Sequence, residues 1–245
     1  MPSQIGSRMA FQNAANAVKR AGLNPANAVL SQSYLRCEVL LSASTTSYKF
    51  DVLVNESTNG TINTQQKLNL QDAFVVNQIG FYLAIPSSST DTTFRLLTYP
   101  MINATAGQNT GTVKSFTYSS TLATNTAAQA LAIYNGAMQL NVNQRTVLTA
   151  WDLQRHLFIP PTQAGATNAT TAVVVSMGSI YHATDDNYNG ADMGLYPVEP
   201  NIVLAGNKKN DLTVTLPIAP ALVEANSRLV FIARGILAQN VTPIN

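Results

Sequence analysis

Segments in which apolar and polar residues alternate recur along this chain, and they constrain its fold more than any other feature. Between residues 34 and 41, Leu35, Cys37, Val39 and Leu41 alternate with residues that are mostly polar. A period of two places one set of side chains on the buried face of a strand. About a dozen such segments are separated by Gly, Pro and Asn turns, which favours an all-β sandwich or barrel over βαβ units.

The same pattern places the individual strands. We predict strands over 34–41, 48–54, 74–85, 94–99, 113–118, 137–142, 146–150, 156–160, 172–182, 202–205, 212–218 and 228–238. Gly80 interrupts the long apolar run 74–85 and is predicted to form a β-bulge there. A short alanine-rich helix is predicted over 125–133.

The N-terminal region has a different period. Small apolar residues recur at helical spacing over residues 7–21, and Gly22 is a stop signal, so this segment is predicted to be a helix. Its apolar face is mostly alanine, too thin to hold a helix in water unless it docks on another surface. We therefore predict an N-terminal helical, basic arm at 1–33 and a β-sandwich body at 34–245, with an alternative in which the body divides at 161–170 into two β modules.

The chain carries unusually few charges, and their distribution is uneven. Only 11% of its residues are charged, against about 25% in typical soluble domains. Removing water from a neutral polar side chain at an interface costs less free energy than removing it from a charged one. The composition therefore favours a protein that packs against copies of itself.

Four basic residues precede the first acidic one. Arg8, Lys19, Arg20 and Arg36 all come before Glu38. We predict that Arg8, Lys19 and Arg20 on the arm contact either a neighbouring subunit or, weakly and without sequence preference, nucleic acid.

The segment Asp185–Asp192 is the one motif with metal-binding spacing. Asp185, Asn187 and Asn189 occupy alternate positions before Gly190, and Asp192 adds a carboxylate, as in the first half of a calcium loop. The acid expected at the twelfth position is replaced by Tyr196. The alternative is a surface loop whose Asx turns satisfy its own backbone.

Residue patterns for catalysis are lacking. Asp152 and His156 are four apart, but the surrounding sequence favours strand and loop over helix, and no G-x-S-x-G elbow occurs. No catalytic residues are therefore assigned, and the chain is not expected to be an enzyme. The single cysteine, Cys37, rules out an internal disulfide and is expected in the core. No signal-peptide pattern or run of about 18 apolar residues occurs, so no transmembrane segment is expected.

Two stretches carry a resemblance to known proteins: YNGAMQLNVNQRTVLTAWDLQRHLFIPPTQ (Tyr134–Gln163) and SRLVFIARGILAQN (Ser227–Asn240). Together with the basic helical arm, they resemble jelly-roll-type capsid proteins of bacteriophages. The resemblance implies an antiparallel β-sandwich of jelly-roll type, as one large or two compact sandwiches with a short N-terminal helix. It further implies a non-catalytic subunit that is made in the host cytoplasm and assembles into the virion with copies of itself and other virion proteins.

Two other functions remain open from the sequence. One is a phage fibre, decoration or carbohydrate-binding β-sandwich protein, in which the Asp185–Asp192 loop would hold Ca²⁺. The other is a β-sandwich hydrolase, which the lack of paired catalytic groups disfavours.

Overall fold

The computed structural model describes residues 4–54, 65–86, 94–97, 133–156, 194–220 and 226–244. The elements are α1 (Gln4–Arg20), β1 (Leu23–Asn24), β2 (Val29–Leu40), β3 (Ser47–Asp51), β4 (Ala73–Pro86), β5 (Phe94–Leu97), β6 (Ala137–Val142), β7 (Arg145–Asp152), a 3-10 turn (Leu153–His156), β8 (Tyr196–Ala205), β9 (Asn210–Thr215), β10 (Arg228–Gln239) and β11 (Thr242–Pro243).

Two antiparallel sheets form a sandwich. The first sheet has the order β2-β10-β4, with β8 and β5 pairing to different parts of the remaining edge of β4. The second has the order β3-β9-β6-β7, and β1 pairs with β11 in a separate two-stranded ribbon. The predicted antiparallel β-sandwich with an N-terminal helix is therefore confirmed.

The strand pairs of this sandwich are nested in the sequence. Strand β2 pairs with β10, β3 with β9, β4 with β8, and β6 with β7. With β5 set aside, the first strand of the sandwich thus pairs with the last, the second with the second last, and so on inward. Such a chain is one long antiparallel ribbon folded over on itself, and its nested pairs fall alternately in the first and the second sheet.

The main core lies between the two sheets. Leu35 and Cys37 point into it from β2, as their alternation predicts, and Cys37 is fully buried. Phe50, Phe81 and Phe231 meet at its centre, with ring centroids 5.3–6.2 Å apart in tilted and edge-to-face contacts. Such contacts add to the free energy gained by burying the rings.

A β-bulge in β4 lies at Asn77, and the prediction at Gly80 is wrong. Gly80 stays in register opposite Ile232, whereas the pairing with β10 passes from Gln78 directly to Val76. The glycine that this region requires is on the partner strand, because a Cβ on Gly235 would lie 1.9 Å from the carbonyl oxygen of Val75.

Helix α1 packs on the body of its own chain. Ala14, Ala17 and Val18 are buried in a second apolar cluster with side chains of the first sheet that include Val75 and Ile236. Alanines let the helix backbone approach the sheet closely, so a thin apolar face suffices when the sheet supplies the larger side chains.

The predicted boundary between arm and body falls within a strand. The division between residues 33 and 34 lies inside β2, a continuous strand from Val29 to Leu40. The C-terminal end of α1 is also tied to the body, because the Lys208 Nζ donates a 2.9 Å hydrogen bond to the Ala21 carbonyl. A cation at this end of a helix also suits the helix dipole.

Several predicted elements lie partly or wholly outside the described residues. The strands over 113–118 and 172–182 and the division at 161–170 lie outside the described residues. Of the predicted strand 156–160 only His156 is described, in the 3-10 turn, and of the predicted helix 125–133 only Ile133.

Candidate functional site

The three predicted arm residues lie on the surface of α1 but do not form one cluster. Arg8, Lys19 and Arg20 are all exposed, and within the described residues none forms an ion pair with a carboxylate. Arg8 and Arg20 are separated by about 18 Å along the helix axis at 1.5 Å per residue. The predicted calcium residues Asp185, Asn187, Asn189 and Asp192 lie outside the described residues.

A cleft of about 710 Å³ lies between β7, β8 and the C-terminal half of α1, and we call it the edge cleft. Strands β7 and β8 are the last strands of their sheets in the described order, so the main core reaches the surface between them. The lining residues are Asn13, Ala17, Arg20, Ala21, Val142, Arg145, Val147, Leu148, Trp151 and 198–203.

Charged groups at the edge cleft are few and mostly basic. Arg20 and Arg145 line it, with Glu199 as the acidic residue. No ion pair joins either arginine to a carboxylate in the part of the chain that the structure describes. The cleft therefore combines an apolar floor with two guanidinium groups that pair with no carboxylate among the described residues.

The indole of Trp151 at this cleft is held by a buried histidine. Trp151 Nε1 donates a 2.8 Å hydrogen bond to His156 Nε2, and His156 Nδ1 lies 2.7 Å from the carbonyl oxygen of Gly194. The imidazole also packs against Phe81, with ring centroids 5.4 Å apart. His156 thus links the end of β7 to the residues that lead into β8 and to the core.

Arg155 covers the outer side of the same aromatic group. Its guanidinium lies 4.9 Å from the ring centroid of Trp151 and 5.1 Å from that of Tyr196. The two rings themselves meet edge to face, 5.5 Å apart. These cation–π contacts fix the orientation of Trp151 and Tyr196 beside the cleft.

Asp152 and His156 do not form a catalytic pair in this arrangement. Both ring nitrogens of His156 are engaged by Trp151 and Gly194, while Asp152 Oδ1 accepts a 2.9 Å hydrogen bond from the Gln154 amide. The 3-10 turn, rather than a longer helix, directs the two side chains to different partners.

A second charged group lies on the first sheet. Glu38 is fully buried and accepts hydrogen bonds from Arg36 Nε at 2.7 Å and Arg228 Nη1 at 3.0 Å. The two arginines are on neighbouring strands, β2 and β10, so this carboxylate holds the strands together at one end of the sheet. It has the geometry of a structural ion pair.

The sequence gives little sign of the edge cleft. Its lining comes from three segments that are far apart in the chain, and each is an ordinary helix or strand by its own pattern. Trp151 is the one signal that sequence reasoning could use, because a large aromatic residue beside Asp152 is typical of a packing or interface anchor.

The described residues contain neither a group of metal-binding side chains nor a helix that could span a membrane. Among the described residues, no three His, Cys, Asp or Glu side chains are grouped so that they could hold a metal ion. None of the described helices has the length and apolar character needed to cross a membrane.

Comparisons with known proteins gave no relative: no family model matches the chain, and no match was found among curated proteins or solved structures. The inference of function therefore rests on the fold and the surface of this chain.

Proposed function

We propose that this chain is a capsid-type structural protein, a subunit that assembles with copies of itself and with other virion proteins into a bacteriophage shell, without a catalytic role. It would be made in the host cytoplasm and end in the virion. The nested pairing of β2–β10, β3–β9, β4–β8 and β6–β7 carries this proposal.

Nested pairing across two sheets supports a jelly roll. A jelly roll is a double sheet of eight strands whose connections form two Greek keys, and it recurs in viral capsid proteins, lectins and cupins. The fold class is therefore shared by several functions, and features of the surface have to favour one of them.

The exposed edge of β7 favours self-assembly. Between Arg145 and Asp152 this strand has the neutral sequence TVLTAW, and Val147 is 42% exposed. Within the described residues β7 pairs on one side alone, with β6. The pairing of β7 with β6 contains two register irregularities, but no Lys or Pro lies between Arg145 and Asp152, and a neutral edge of this kind is suited to strand pairing with a neighbour.

The low fraction of charged residues in the whole chain also favours self-assembly. With 11% charged residues, most surfaces can be covered by a neighbour without removing water from ions. The exposed Arg8, Lys19 and Arg20 on α1 provide basic contacts at its two ends for an adjacent subunit or for the phosphates of a genome.

Assembly is tested directly by sedimentation velocity and negative-stain microscopy of the purified chain. We expect shells, rings or defined oligomers whose fraction grows with protein concentration. The double variant Thr146→Lys/Ala150→Lys places two charges on the exposed edge of β7, away from the edge cleft, and should reduce assembly strongly.

The matched control is Ala43→Lys/Ser44→Lys, which adds the same charge in an exposed turn between β2 and β3. It should assemble as the unmodified chain does. A chain that stays monomeric at all concentrations and salt levels would contradict the proposed function.

A further inference from the structure

We propose that the edge cleft is a binding site for a small organic anion, a molecule with an apolar or aromatic body and one negatively charged group. The site lies within one chain, so binding requires no assembly, and the proposal is independent of the function proposed above.

Size and lining fit a molecule of this class. The cleft has a volume of about 710 Å³, inside the range of about 300–1,000 Å³ that is usual for ligand sites. Its floor is apolar: Val142, Leu148 and Trp151 on one side face Val198 and Ile202 on the other. A ligand body placed here would continue the main core outward and remove this apolar surface from water.

The charge of the ligand follows from the two arginines. Arg20 enters the cleft from α1 and Arg145 from the start of β7, and neither is paired with a carboxylate among the described residues. Guanidinium groups bind carboxylate, sulfonate and phosphate groups through charge-assisted hydrogen bonds. Glu199 is the one acidic residue among the described lining residues, so the described lining favours an anion over a cation.

Trp151 is held ready to contact the ligand body. Its indole N–H is already bonded to His156, and Arg155 lies over its ring, so the indole does not need to be ordered when a ligand arrives. Preorganisation of this kind lowers the entropy cost of binding. His156 and Arg155 are positioning residues for the indole.

The experiment uses the fact that the chain has a single tryptophan. The probe is 8-anilinonaphthalene-1-sulfonate, which has an aromatic body and one sulfonate and accepts energy from tryptophan emission. Titration into the folded protein at neutral pH should quench Trp151 emission saturably and raise the sensitised emission of the dye.

Charge variants separate this site from general dye adsorption. Arg20→Gln and Arg145→Gln should each weaken binding about tenfold, as loss of one charge-assisted hydrogen bond predicts, and Arg145→Lys should restore part of that loss. Arg8→Gln, at the other end of the same helix, is the matched control and should bind as the unmodified chain does. Circular dichroism confirms that each variant is folded.

Competition then identifies the source of the natural ligand. Displacement of the dye by dodecanoate indicates a lipid-type anion, and displacement by adenosine monophosphate indicates a nucleotide. The proposal is wrong if quenching does not saturate, if the Arg20→Gln/Arg145→Gln double variant binds the dye unchanged, or if neither competitor displaces it. None of these results depends on whether the chain forms shells.

Discussion

The indole N–H of Trp151 donates a 2.8 Å hydrogen bond to Nε2 of His156. Because an indole nitrogen can only donate, Nε2 must be unprotonated, and the single proton of the neutral ring is on Nδ1, where it is donated to the Gly194 carbonyl oxygen. One imidazole thereby joins the end of β7 to the residues that lead into β8, beside the edge cleft.

Acid should weaken this link. Burial lowers the pKa of His156 from 6.5 to about 4, because the charged ring would lose its water, and the positive charge of Arg155 adds to this lowering. In the unfolded chain the ring titrates near 6.5, so below that pH the unfolded state binds more protons. The contribution of His156 to the free energy of unfolding is fully present above pH 6.5 and falls as the pH drops toward 4. Well below pH 4 the loss reaches about 3 kcal/mol.

Urea unfolding at pH 7.0, 5.5 and 4.5 measures this effect, with His156→Gln as the comparison because carboxylates titrate over part of the same range. The variant should be less stable at pH 7 and should lose less stability on acidification. Equal pH slopes for the two proteins would show that His156 is not the group responsible.

In the unmodified chain Arg36 and Arg228 share the buried carboxylate of Glu38. Glu38→Gln should destabilise the fold by about 3 kcal/mol, because it leaves both arginines beside a neutral group. The control is Lys49→Gln, which breaks the exposed 3.6 Å pair of Lys49 with Asp211 and should change stability by less than about 1 kcal/mol. Equilibrium urea unfolding gives both values. Similar small losses in the two variants would mean that the Glu38 pairs contribute no more than a surface contact.

Gly235→Ala should lower stability by more than about 2 kcal/mol, a size typical of strain in a packed strand. The new methyl group would lie 1.9 Å from the Val75 carbonyl oxygen, and backbone on both β10 and β4 would have to move. Ser33→Ala, opposite Gly235 on β2, is a mild substitution for comparison. Thermal melts that rank Ser33→Ala as the more harmful change would argue against the close approach of the two strands.

Val18→Asp should release α1 from the sheet, because it places a charge in the cluster formed with Val75 and Ile236. Asn16→Asp adds the same charge on the exposed face of the helix and should leave it docked. Hydrogen exchange of residues 4–20 distinguishes the two, with fast exchange expected for Val18→Asp alone. Fast exchange in the unmodified chain would instead support an arm that leaves the body.

Local sequence patterns predicted single strands well, but they predicted poorly how a strand aligns with its partner strand. The alternation around Leu35 and Cys37 correctly predicted a strand and its buried face, because each side chain responds to its own burial. The bulge was misplaced at Gly80 because the position of a bulge depends on the register with the partner strand. It lies at Asn77, where β10 provides Gly235 and the backbones of the two strands are close together.

The cleft and the histidine link lay beyond prediction for the same reason. Arg20, Arg145 and Glu199 come from a helix and two strands that are far apart in sequence, and nothing in their local patterns relates them. From the sequence, the spacing of Asp152 and His156 was set against a strand-and-loop context and no partner was assigned to His156; its partners are Trp151 and a backbone carbonyl 38 residues away.

The sequence by itself determined that this protein is all-β with an N-terminal helix, since alternation, turn residues and helical spacing act within a few neighbouring residues. Tertiary structure alone decided the nested order of the strands, the docking of α1 and the position of the edge cleft. Backbone hydrogen bonds are the same for every pair of strands, so the choice of partner depends on how distant side chains pack together in the core.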